Sequence, residues 1–105
     1  MKNEQLRVKT RIIDELKEIF DPEIPVNVYD LGLIYGIEVN KQGGVLITMT
    51  LSSPGCPVAD LIESEIRERV EELEGVSLVD IEIVWEPPWA QEMMTEEAQL
   101  ELGML

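Results

Sequence analysis

Two alternating segments flank Lys41-Gln42-Gly43-Gly44, and this arrangement restricts the possible folds more than any other feature of the chain. From Leu33 to Val39 the odd positions Leu33, Tyr35, Ile37 and Val39 alternate with smaller or polar residues. From Val45 to Leu51 the apolar set Val45, Ile47, Met49 and Leu51 alternates with Thr48 and Thr50. A period of two marks strands with one buried face. A short glycine-rich link between them makes a hairpin, so the two strands run antiparallel. Helical spacing follows at Val58, Leu61, Ile62, Ile66, Val70 and Leu73. Gly75 is suited to the left-handed position that ends a helix. Val76 to Trp85 then reads as a third strand, with Val79, Ile81, Ile83 and Trp85 on one face and Asp80, Glu82 and Glu86 among those opposite. A helix joining the second and third strands favours a parallel, right-handed crossover.

Ahead of the hairpin, Ile12, Ile13, Leu16, Ile19 and Phe20 recur at helical spacing within Leu6 to Phe20. Asp21-Pro22 is expected to end that helix, because the residue before proline is pushed out of the α region. The expected fold class is α+β: helix-strand-strand-helix-strand, a three-stranded mixed sheet in order 1-2-3 with two helices on one face, and an irregular C-terminal tail. The other face would carry Glu38, Thr48, Thr50, Asp80 and Glu82, either solvated or as a partner surface. Residues 21–32 form a two-proline connector with Ile24, Val26, Val28 and Leu31, expected to pack along the domain surface. In the tail, Pro87 and Pro88 cannot continue a ladder. Trp89, Met93 and Met94 either cap the core or present an apolar partner site. Thr95 is placed to cap a short helix ending at Gly103. The 105 residues suit one domain, 1–105. A chain of this size buries roughly two-thirds of its unfolded surface and needs neither metal nor disulfide to fold.

Twenty-two acidic against eight basic residues give a net charge of −14. Phosphate backbones and anionic bilayers repel such a chain, which argues against nucleic-acid and membrane partners. The acidity serves solubility, or meets a basic partner or a cation. No stretch approaches the roughly 20 apolar residues of a membrane span, and no signal peptide is read at the N-terminus. One cysteine cannot form an internal disulfide, so a reducing, cytoplasmic setting is expected. The chain has no histidine. Ser–His or Cys–His catalysis within one chain and a Cys/His zinc site are therefore excluded.

The lone thiol, Cys56, lies in Ser52-Ser53-Pro54-Gly55-Cys56-Pro57, between the second strand and the second helix. Pro57 suits the first helical position, where its missing N–H would have had no partner. Cys56 would then be the N-cap, near free N–H groups that favour a thiolate. A buried, inert cysteine is the alternative. Thr50, Ser52 and Ser53 stand where they would donate to a sulfur or an anion.

Three segments together resemble a known family. They are Asp21-Pro22-Glu23-Ile24-Pro25-Val26-Asn27-Val28-Tyr29-Asp30-Leu31-Gly32-Leu33-Ile34-Tyr35, then Ser53-Pro54-Gly55-Cys56-Pro57, then Trp85-Glu86-Pro87-Pro88-Trp89. In this order they resemble the small iron–sulfur-assembly domain family that includes SufT, PaaD and the cytosolic Fe–S targeting subunits. The sequence has neither the extra cysteine-rich segment of PaaD-type proteins nor a Walker motif, and reads as a minimal stand-alone member. The resemblance implies a non-enzymatic factor that assists cluster assembly or transfer to client apoproteins. By residue match, it places the functional thiol at Cys56 and the acidic motif at Asp21, Glu23 and Asp30.

Clusters usually take four thiolates, so Cys56 is at most a shared ligand. A homodimer would supply two; a client, an assembly protein, a small thiol or carboxylates would supply the rest. No cofactor is intrinsic on this reading, only a transient cluster or iron. A carboxylate beside the thiol would raise its pKa or serve as a hard ligand to iron. Alternatively, Asp21 and Asp30 stabilise the connector as turn residues. A metal-free adaptor is the competing function: it would recruit Fe–S clients through the open sheet face and the tail residues Trp85, Pro87, Pro88 and Trp89. A thiol enzyme, as redox sensor or acyl carrier, lacks both a resolving cysteine and a histidine.

Overall fold

The computed structural model describes residues 2–21, 25–51 and 59–103, with side chains described from residue 4 and, in the second helix, from residue 61. The order is α1 (Lys2–Leu16), β1 (Ile34–Val39), β2 (Gly44–Met49), α2 (Ala59–Glu71), β3 (Leu78–Ile83), a 3-10 turn at Gln91–Met93 and α3 (Glu96–Glu101). The sheet order is β1-β2-β3. β1 pairs antiparallel with β2, and β2 parallel with β3. This is the expected α+β arrangement of a mixed sheet and two helices.

The register explains why one face is dry. Val39, Val45 and Val79 align across the three strands; so do Ile37, Ile47 and Ile81, and Ile34, Met49 and Ile83. Against these ladders α1 sets Val8, Ile12 and Leu16, and α2 sets Ile62, Ile66 and Val70, all buried. Each helix contributes an i, i+4, i+8 stripe, the pattern of a helix with one core-facing side. Arg69 of α2 bonds Glu65 at 3.1 Å and reaches Glu15 of α1 at 3.5 Å. The hydrogen bond to Glu65 is the main cause raising the Arg69 pKa. On the other face, Glu38, Asp80 and Glu82 are exposed.

Four details differ from the sequence reading. α1 ends at Leu16, not at Asp21-Pro22. Glu18 and Ile19 bond back to Glu15 and Leu16 in a tightened turn, and Val28 then donates to the Ile19 carbonyl at 2.8 Å. Ile19 is thus buried by pairing with the connector, while Phe20, beyond it, is 55% exposed. The connector is not a surface wrap: Val26, Val28 and Leu31 are core residues, each at most 3% exposed. In β1 the register shifts between Ile34 and Gly36. This bulge breaks the odd-position alternation, as an extra residue in one strand does. Tyr35 thereby leaves the apolar face and bonds the tail. β3 stops at Ile83, and Trp85, expected on its inner face, is 46% exposed.

Candidate functional site

The site region lies at the end of the sheet where β1 begins and β2 ends. Ile34 and Met49 are partners there. Beyond them the Thr50 amide donates to the Leu33 carbonyl at 2.8 Å. The Thr50 side chain is 1% exposed, and its hydroxyl has no hydrogen-bond partner among the described residues. A buried hydroxyl without a partner costs about 1–3 kcal/mol. Packing alone gives no reason for threonine here, since valine has the same shape.

Thr50 leads through buried Leu51 into residues 52–58, which lie outside the described residues. Ser52, Ser53, Pro54, Gly55, Cys56 and Pro57 all fall there, and with them the expected capping of α2 by Cys56. Glu23 lies outside as well.

The connector brings the two described acidic residues to different environments. Asp21 is buried, is not without a partner, and donates its amide to the Val26 carbonyl at 3.3 Å. An isolated bridge pairs its neighbour Phe20 with Asn27. Asp30 is half-buried. Its Oδ2 accepts from Asn27 Nδ2 at 2.8 Å, and its amide donates to Asn27 Oδ1 at 2.8 Å. Asn27 therefore holds Asp30 from both sides in a local turn. Asn27 is a residue the sequence reading missed, although an Asn three positions before an Asp is a legible turn signal. Among the described residues, no three carboxylates gather in a group able to hold a metal ion.

The tail closes against the same connector. Trp89 is half-buried against the core, and its indole N–H donates to the Leu31 carbonyl at 2.7 Å. The Thr95 amide donates to the Asp30 carbonyl at 2.9 Å, and Thr95 Oγ1 caps α3 by accepting from the Ala98 amide. The Tyr35 hydroxyl donates to the Pro87 carbonyl at 2.6 Å and lies 3.6 Å from Met93 Sδ. Of the expected partner surface, Trp85, Pro87 and Pro88 are exposed, whereas Trp89 is committed to the fold. The structure thus draws the first and third motif segments together, and Thr50 bonds to Leu33 of the first; the second segment lies outside the described residues. Among the described residues, no helix is long and apolar enough to cross a membrane.

Comparison with known proteins agrees with this arrangement. A "Fe-S protein maturation auxiliary factor" of Porphyromonas gingivalis is 51% identical over 105 residues, covering all of both chains. The "Fe-S protein maturation auxiliary factor YitW" of Bacillus subtilis is 37% identical over 97 residues, 92% of this chain and 95% of that one. A crystal structure of a domain of unknown function from Bacillus anthracis superposes with a TM-score of 0.90 at 31% identity, covering both chains completely. Residues 9–83 match the family described as iron-sulfur cluster assembly protein, and the chain belongs to that family.

Proposed function

We propose that this protein is a non-catalytic maturation factor for iron–sulfur proteins, and that Cys56 is the point where a cluster or its iron is held before it passes to a client. The observation that carries the reading is the 51% identity, over the full length of both chains, to a protein named as such a factor. The absence of histidine from the sequence accords with a role that needs no general base. The chain acts as one domain in a reducing compartment, and its partners are Fe–S assembly proteins and client apoproteins.

One thiol per chain sets the mechanism. Cys56 supplies one of the four ligands a cluster normally has, and two copies of the chain supply two. The remaining positions are filled by an assembly protein, a small thiol or a carboxylate, with Asp21, Glu23 and Asp30 the acids nearest in motif terms. Such a cluster is cargo, not a resident group. Transfer is a ligand exchange: each client thiolate replaces a donor ligand on iron, and neither iron nor sulfur changes oxidation state. The Thr50 hydroxyl, six positions before Cys56 and without a partner among the described residues, is a donor for a bound sulfide or thiolate.

Anaerobic transfer tests the proposal. Protein loaded with iron and sulfide is mixed with a purified [4Fe–4S] apoenzyme, and recovery of client activity is followed. Recovery faster than from free iron and sulfide is expected, and lost in Cys56→Ser. Recovery no faster than from the free ions would overturn the carrier role.

A further inference from the structure

At the opposite end of the sheet from Thr50, the β1–β2 turn, the α1 surface and the α2–β3 loop line an open cavity of about 220 Å3. Arg7, Arg11 and Lys41 converge on it, three of only eight basic residues in a chain of charge −14. None of the three forms an ion pair among the described residues; Arg69 alone there does so. Glu4 and Glu74 also line the cavity, and Glu4 stands three positions before Arg7 on α1, yet no pair closes. Arg7 and Arg11 are four apart on the same helix, a spacing at which like charges repel. With 22 carboxylates available, three unpaired cations around one hollow bring no structural return.

The walls are rigid. Gly43, at φ +84°, sits so close to Gly75 that an added Cβ would lie 2.3 Å from the Gly75 carbonyl oxygen. Ser77 ties the two loops together, its amide to the Gly43 carbonyl at 2.9 Å and its hydroxyl to the Gln42 carbonyl at 2.8 Å. Gln5 Nε2 fastens α1 to β1 through the Val39 carbonyl at 2.9 Å. A braced backbone leaves only the side chains to be ordered on binding. Its volume is below the roughly 300–1,000 Å3 of drug-sized sites, so the ligand must be small. Two guanidiniums and an ammonium match the planar forks and point charge that recognise phosphoryl oxygens.

We propose that the cavity bounded by Arg7, Arg11 and Lys41 is a binding site for a small polyanion bearing a diphosphate group, at the opposite end of the sheet from Thr50. The source is either free pyrophosphate or the diphosphate of a nucleotide. The full-length protein, labelled with 15N, is titrated with pyrophosphate and with ADP against sodium chloride at matched ionic strength. Saturable amide shifts at residues 39–44 and Gly75 are expected with pyrophosphate, ADP or both, and the stronger ligand identifies the source. Arg7→Gln and Arg11→Gln should each weaken binding about tenfold or more, the usual effect of losing a hydrogen bond to a charged group. Lys9→Gln removes the same charge from α1 away from the cavity and should retain wild-type affinity. No saturable shift with either ligand would overturn the proposal. So would equal weakening by Lys9→Gln and Arg11→Gln, or saturation by a tetraglutamate peptide alone. Since Arg7 and Arg11 are exposed and unpaired, these variants remain folded, and cluster loading at Cys56 is read separately.

Discussion

The indole N–H of Trp89 donates to the carbonyl of Leu31 at 2.7 Å, joining residues 58 positions apart. Through this bond the tail holds the connector that carries Asp21 and Asp30. Trp89→Phe keeps most of the packing but leaves the Leu31 carbonyl without that donor. A loss of about 1 kcal/mol is expected, the usual net value of one hydrogen bond. Urea unfolding measures it, and the midpoint should fall with the m-value unchanged.

Tyr35→Phe removes the bond to the Pro87 carbonyl. Global stability should fall by about 0.5–1.5 kcal/mol. Hydrogen exchange should quicken chiefly at residues 89–95, while the amides of β2 keep their protection, because the loosened segment lies at the low-stability end of the fold.

Thr50→Val separates packing from function. Removing a buried hydroxyl that has no partner should leave stability equal or raised by up to about 1 kcal/mol, since the desolvation cost disappears. Iron and sulfide uptake should fall if the hydroxyl donates to the bound group. Thermal unfolding beside anaerobic loading reads both effects, and a stability loss above 1 kcal/mol would show an unrecognised structural bond.

Gly43→Ala places a Cβ against the Gly75 carbonyl in a backbone conformation that side chains resist. A destabilisation of about 1–3 kcal/mol is expected. Calorimetry checks it; an unchanged Tm would mean that the two loops are not locked together.

The sheet was legible because the inward positions of each strand recur largely at a period of two, beside helices of period 3.6. Gly43 marked its turn correctly; Gly75 also has positive φ, but α2 ends at Glu71, so Gly75 sits in the turn that follows and does not end the helix. The misses have local causes. The bulge after Ile34 turned Tyr35 towards Pro87, and no residue in Ile34-Tyr35-Gly36 announces an insertion in the ladder. The burial of Val26, Val28 and Leu31 depends on Ile19 pairing with Val28, a contact formed only once α1 has ended early. Asp30 was named by its match to the family motif, with a turn role as the alternative, and the turn partner Asn27 was not foreseen. Trp89 follows the core-capping expectation for the tail: its ring packs on the core and its N–H bonds Leu31.

The most direct test of the account is anaerobic reconstitution with iron and sulfide of the wild-type chain beside Cys56→Ser, with iron content, visible absorbance and solution mass recorded for each. The account predicts sulfur-to-iron charge-transfer absorbance with bound iron in the wild type and neither in Cys56→Ser, at unchanged circular dichroism. Equal loading of both proteins would contradict it.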